Sequence, residues 1–162
     1  MPNWIKGTMK LRGKKENIRR FFLEGVEPHD GWEGNYKECI RDCTDELEIR
    51  FEFEAEPWII DTRRAFITSD YVCLDLKDGK EDGVACVNIK QAWSFEARGR
   101  EDRRKWQAIA EKYDLDIRLF GIEQGGQFAQ ELICFRDGER TIGKYIEYED
   151  WDWECPFPRM GG

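Results

Sequence analysis

Few residues in this sequence have the types and spacing that a catalytic site needs. Nucleophilic catalysis takes a nucleophile, a base and a group that orients the base. The only histidine, His29, lies between Pro28 and Gly31 with no serine or cysteine motif around it. Carboxylates number 34, so any two make a pair and pairing identifies nothing. Cys39 and Cys43 are spaced as on one helix face. A structural zinc takes four ligands, however, and no second cysteine pair matches that spacing. No glycine-rich loop follows a strand and opens a helix at phosphate-binding spacing. The reading that follows is no enzyme, no metal and no cofactor.

Residues suited to recognition are more plentiful. Residues 1–23 hold seven bases (Lys6, Lys10, Arg12, Lys14, Lys15, Arg19, Arg20) and one acid, Glu16. The whole chain has 26 bases and 34 acids, so the other 139 residues carry 19 bases and 33 acids. A basic face at the N-terminus could meet phosphate, while the rest of the surface would repel nucleic acid. The plainer account pairs the basic strand with the acidic one at 46–56 through cross-strand ion pairs. That strand alternates Leu47, Ile49, Phe51, Phe53 and Ala55 with Glu46, Glu48, Arg50, Glu52, Glu54 and Glu56, an almost wholly acidic face. Residues 147–154 pack five acids and the aromatics Tyr148, Trp151 and Trp153 into eight positions. Acids steer basic partners, and exposed aromatics are enriched at interfaces.

These patterns lead to a non-enzymatic protein that acts by protein–protein contact. Glu48, Glu52, Glu54, Glu149, Asp150, Trp151, Asp152 and Trp153 would form the contact. The expected partner is a basic host protein whose nucleic-acid groove they would block. Carboxylates on one strand face recur every ~6.7 Å, against one charge per ~3.4 Å along a DNA strand. Strand and tail would therefore have to combine. The alternative is a nucleic-acid-binding module built on the basic N-terminal strand and helix.

The elements that must position these residues are legible in the periodicity. The chain has 162 residues, a net charge of -8, a mean hydropathy of -0.76 and 22 aromatics (Trp 7, Tyr 5, Phe 10). The length suits one domain, and the aromatic load argues against disorder. No apolar run approaches the ~18–20 residues of a membrane span, which implies a cytoplasmic protein without a membrane segment. Strict alternation marks strands at Ile5–Arg12 and Leu47–Ala55. Further strands are expected at Ala65–Thr68, Tyr71–Leu76, Val84–Ile89, Leu115–Leu119, Phe128–Phe135 and Thr141–Tyr145. Ile18, Phe21 and Phe22 predict one amphipathic helix. Trp106, Ile109, Ala110 and Tyr113 predict a second over Arg100–Lys112. A helical turn is expected near Tyr36–Arg41. Cys73, Cys86 and Cys134 sit in apolar runs and read as small buried hydrophobes.

The fold class is α+β, ferredoxin-like: a mainly antiparallel sheet with two helices on one face. Residues 1–145 make the domain and 146–162 an irregular acidic–aromatic tail. Trp93 reads as core and Ser94 as a connection residue. Glu123 reads as a carboxylate accepting hairpin N–H groups, with Phe128 plugging the core.

Three short motifs resemble the YubB/Api92-like family of ferredoxin-like domains of phages and plasmids. They are Met1-Pro2-Asn3-Trp4 before an alternating strand, Gln91-Ala92-Trp93-Ser94 before a helix, and Glu123-Gln124-Gly125-Gly126-Gln127-Phe128. Their order and spacing agree over about residues 1–136. Ile5 stands where members often have Cys, and Phe95-Glu96 where prolines are common. The resemblance implies the fold, a mobile-element origin and a set of family-motif positions: Trp4, Trp93, Ser94, Glu123, Gly125 and Phe128. It implies no activity.

Overall fold

The fold is known from a computed structural model, which describes residues 3–27, 40–42, 46–51, 57–75, 78–96, 100–139 and 141–160. In chain order the elements begin β1 (Trp4–Lys14), α1 (Lys15–Glu24), β2 (Val26–Glu27), β3 (Ile40–Asp42) and β4 (Glu46–Arg50). They continue with β5 (Trp58–Ile59), β6 (Ala65–Ile67), β7 (Tyr71–Asp75), β8 (Asp82–Ala92) and α2 (Arg100–Tyr113). The last are β9 (Asp116–Glu123), β10 (Phe128–Cys134), β11 (Thr141–Glu147) and α3 (Trp151–Glu154).

Eight strands form one antiparallel sheet in the order β11-β10-β9-β1-β8-β6-β5-β2, and β3-β4-β7 form a second. The expected α+β class with a mainly antiparallel sheet is what the structure shows, but three strands, the acidic β4 among them, form a separate sheet. The main sheet continues past β9 through two hairpin strands, and past β6 through the short β5 and β2.

β1 pairs along its whole length with β8, and from Lys6 to Arg12 with β9. Parity then sorts every residue. On one face Ile5, Met9 and Leu11 lie beside Val87, Ile89, Ala85, Leu119 and Ile117, all buried. α1 and α2 cover this face. Their stripes, Ile18, Phe21 and Phe22 with Trp106, Ile109, Ala110 and Tyr113, are buried in the same core. The rings of Phe21 and Tyr113 meet edge-on with centroids 5.4 Å apart, which holds the helices together. Ile49, Phe51, Val72 and Leu74 of the second sheet belong to this core, with Phe51 against Phe22 at 6.0 Å.

The acidic strand does not flank β1. β4 lies in the second sheet between β3 and β7. Apolar parity explains the choice, because β8 and β9 offer β1 long apolar rows on the side the helices cover. The cross-strand pairing expected between the basic and acidic strands is therefore not formed. Glu52 and Glu54 lie outside the described residues, and so do Cys39, Cys43 and most of the expected helical turn. Its last residues, Ile40 and Arg41, are in β3.

Two further expectations change. Residues 146–160 are irregular only in part. β11 runs through Glu147, and α3 follows with Asp150 at its N-cap, accepting from the Trp153 N–H. Trp151 and Cys155 bury themselves against Ile122 and Ala129 on the sheet face opposite α1 and α2. Cys73 and Cys86 are exposed, because each occupies a solvent-facing parity position in its strand; Cys134 is buried.

The tightest packing lies at the β1–β9 seam. Gly7 and Gly121 are register partners. A Cβ on Gly7 would stand 1.9 Å from the Phe120 carbonyl oxygen, and one on Gly121 2.8 Å from the Phe95 ring. Gly121→Val should lower stability by about 1–3 kcal/mol, the usual cost of overpacking, read as a lower urea midpoint.

Thiol reactivity should follow the exposures. Burial, with Glu96 adding and Arg103 opposing, pushes the Cys134 thiol up to about 12. Alkylation near pH ~8 followed by peptide mapping should mark Cys86 and leave Cys134 unmodified.

Candidate functional site

Residues from the three short motifs singled out in the sequence, far apart along the chain, meet in one cleft of about 540 Å³. Asn3 comes from the start of β1, Trp93, Ser94 and Glu96 from the segment after β8, and Glu123 and Phe128 from the β9–β10 hairpin. Gln130, Tyr145 and Arg63 complete the walls.

A buried amide network sets the Trp93–Glu96 segment. Gln91 is fully buried; its Nε2 donates to the Ser94 carbonyl at 2.9 Å, and its Oε1 accepts from Trp106 Nε1 at 3.1 Å. Gln130 Oε1 accepts from the Phe95 N–H at 2.8 Å, and its Nε2 donates to Glu96 at 3.1 Å. Glu96 also pairs with Arg103. With both amides satisfied, the segment has little freedom.

Trp93 is not core. It is 49% exposed, and its φ of 73° is a left-handed conformation that bulky residues rarely adopt. The Trp93 N–H donates to the Asn3 carbonyl at 2.8 Å, which holds the bend. Tyr145, 55% exposed, stacks on Phe128 with centroids 4.6 Å apart and lines the same cleft. Sequence reasoning missed Tyr145, Asn3 and Arg63, since only tertiary pairing brings β11 and the β5–β6 turn to the motifs.

Glu123 behaves as expected. It is 2% exposed and accepts the Gly125 N–H at 2.8 Å and the Gly126 N–H. A Cβ at Gly126 would sit 2.6 Å from the Glu123 carboxylate, and one at Gly125 2.7 Å from the Asn3 amide. The two glycines thus make the cradle that holds the carboxylate. Among the described residues no cation pairs with Glu123. Burial first, then the charges of Glu147 and Glu123, hold the Tyr145 hydroxyl above its ordinary pKa.

A second surface lies on the sheet face opposite the long helices. Lys6, Lys10 and Arg12 of β1 project there with Lys90 of β8, Arg118 of β9 and Lys144 of β11. Lys6 stands directly across from Lys90, and Lys10 from Arg118. Like charges opposite each other destabilise a sheet. Asp116 and Glu131 offset part of this. Asp116 takes Arg12 at 2.7 and 2.9 Å and Arg136 at 3.3 Å, while Glu131 takes Arg118 at 2.5 Å and Lys144 at 3.4 Å. Lys6 and Lys10 have no ion-pair partner among the described residues. Around Lys10, Arg12 and Arg118 the face opens into an apolar cleft of about 350 Å³ with Val84 and Ile133. Trp4 anchors the far end, edge-on to Phe66 at 5.9 Å and under Arg64 and Lys90.

The expected partner-binding residues divide. Glu48 is in β4 of the second sheet and pairs with Arg50 at 2.5 Å. Trp151 is buried under the open face of the main sheet, while Trp153 is 87% exposed. Asp152 is exposed beside it, Asp150 caps α3, and the Glu149 N–H donates to Glu154. Strand and tail acids thus lie on separate sheets.

The Asp116 hub generates a pH prediction. Burial alone would raise this carboxyl, but hydrogen bonds from Arg136 and Arg12 outweigh it and hold the group below the ordinary aspartate value. A depressed folded value contributes stability above the unfolded value and loses it as pH falls through the folded one. Asp116→Asn should therefore have a lower urea midpoint than wild type near pH ~6. The difference should shrink as pH drops below about 4.

No family model, curated protein or solved structure matches the chain.

Proposed function

We propose that the protein binds single-stranded nucleic acid on the open face of its main sheet. One observation carries this reading. A chain of net charge -8 gathers Lys6, Lys10, Arg12, Lys90, Arg118 and Lys144 on one sheet face, with Asp116 and Glu131 set among them and α3 with its acids seated on the same face over Ile122 and Ala129. Glu131 already answers Arg118, so an anion on this face would meet Lys6 and Lys10, which have no ion-pair partner among the described residues.

Shape favours a single strand. No helix of eight residues or more among the described ones stands on this face to enter a duplex groove. Phe120 and the exposed Phe157 border Lys6 and Thr8, so bases could stack where phosphates are held. The central order β9-β1-β8-β6, with α1 after β1 and α2 between β8 and β9, supports a ferredoxin-like core inside the larger sheet. The three motifs in their expected order support the YubB/Api92-like resemblance and its mobile-element origin.

A second reading has one specific observation behind it. Trp153 is 87% exposed and flanked by Asp152 and Glu154. An exposed tryptophan among acids suits a basic protein partner.

Fluorescence anisotropy with a labelled oligonucleotide at about 50 mM salt separates the two. On the nucleic-acid reading, binding falls steeply with salt, with a log–log slope of about -3 for four phosphates neutralised on a single strand. Lys10→Glu should weaken it at least ~10-fold, while Trp153→Ala leaves it unchanged. Absence of binding at low salt, or binding indifferent to Lys10→Glu, would sink this reading.

A further inference from the structure

The cleft where the motifs meet lies off the basic face and has its own chemistry. Trp93 and Tyr145 are separated by 51 intervening residues, yet both present exposed rings to it. Flat aromatic surfaces at a cleft accept a planar ligand. The hydrogen-bonding groups are mostly acceptors. Glu123 uses two of a carboxylate's roughly four lone-pair sites on Gly125 and Gly126. Glu96 lies alongside, and the Gln130 amide is already committed at both ends. An acceptor-rich wall calls for a ligand edge rich in donors. Arg63 adds a cation at the same cleft and forms no ion pair among the described residues. A donor-only cation would leave Arg63 unanswered, and a simple anion would face Glu123. A planar ring with an amino group and a phosphate satisfies every wall. The strain at Trp93 agrees, since a bulky residue at φ 73° persists only where surrounding contacts hold it, and such strain gathers at ligand sites.

We infer that this cleft binds a nucleotide whose base carries an exocyclic amino group. Trp93 and Tyr145 take the ring, Glu123 and Glu96 accept from the amino edge, and Arg63 takes the phosphate. Uracil has no exocyclic amino group; its carbonyls meet the carboxylates acceptor to acceptor and only its ring N3–H is left to donate, so it binds more weakly.

Isothermal titration of the full chain with AMP, GMP, CMP and UMP tests the inference. Saturable binding of at least one amino-bearing nucleotide is expected, with UMP at least ~10-fold weaker. Trp93→Gly keeps the left-handed backbone while removing the ring, and should weaken binding ~5- to 100-fold, the range of one base–aromatic stack. Arg63→Ala should weaken the nucleotide and leave the matching nucleoside unchanged. Lys10→Glu should leave mononucleotide binding intact while reducing oligonucleotide binding, so failure of one surface is distinguishable from failure of the other. Circular dichroism of each variant checks folding, and Tyr145→Ala gives an independent loss of the second ring. The inference is overturned if none of the four nucleotides binds, if UMP binds equally well, or if Trp93→Gly and Tyr145→Ala both bind as wild type. Binding of methylguanidinium without any nucleotide would overturn it in favour of a cation site.

Discussion

The Gly7–Gly121 seam is the constraint on which the remaining architecture rests. Two strands meet there without side chains, and Phe95 lies against the gap from the helix side. That contact fixes more than packing. The Phe95 N–H is held by Gln130 of β10, and the preceding residues are held by Gln91 of β8. A ring against Gly121 therefore joins the sheet centre to the segment carrying Trp93 and Glu96. Were Gly121 larger, Phe95 would have to move, and the cleft walls with it; a larger residue at Gly7 would instead push β9 away through its backbone.

Period-2 geometry does the second part of the work. Along β1 the odd residues Ile5, Met9 and Leu11 enter the core, while Lys6, Lys10 and Arg12 face outward between them. A slip of one residue would bury three cations and expose three large apolar side chains. The cost of burying an unpaired charge far exceeds that of opposing like charges in water. The core thus dictates the register, and the crowding of Lys6 on Lys90 and Lys10 on Arg118 is a consequence the sheet tolerates.

Local periodicity was readable and pairing was not. Both long helices and most strands lie where their apolar spacing places them. The Glu123 turn also matches its sequence reading, because Gly125 and Gly126 leave N–H groups within reach of that carboxylate. Partnership between strands depends on matching apolar rows across distant segments, which a single strand does not reveal. The acidic β4 therefore looked like a partner for β1 and is not. Cys86 looked buried because its neighbours are apolar, yet it alternates outward with Val84 and Asn88. Trp93 looked like core because tryptophan usually is. Its exposure follows from the bend held by the Asn3 carbonyl, a long-range contact with no sequence signature. The tail gave no alternation because it belongs to two structures: a strand to Glu147, then a turn of helix pinned by Trp151, whose indole donates to the Pro158 carbonyl at 3.0 Å.

The two surfaces meet at the start of β1. Asn3 lines the cleft, while Trp4, the next residue, packs on the opposite face with Phe66 and Lys90. Neighbours in a strand point to opposite sides, so this strand end touches both at the edge of the core. The surrounding acids also act on both. At physiological salt a charge acts over about 8 Å, so the cationic strip is felt at contact and only the acids within that reach oppose it. On the proposed reading such a surface discriminates by shape more than by charge, since a flexible single strand follows the cationic strip and a stiff duplex does not. The Asn3–Trp4 edge, where Arg64 and Lys90 stand over the Trp4 ring, would then join the strip to the cleft.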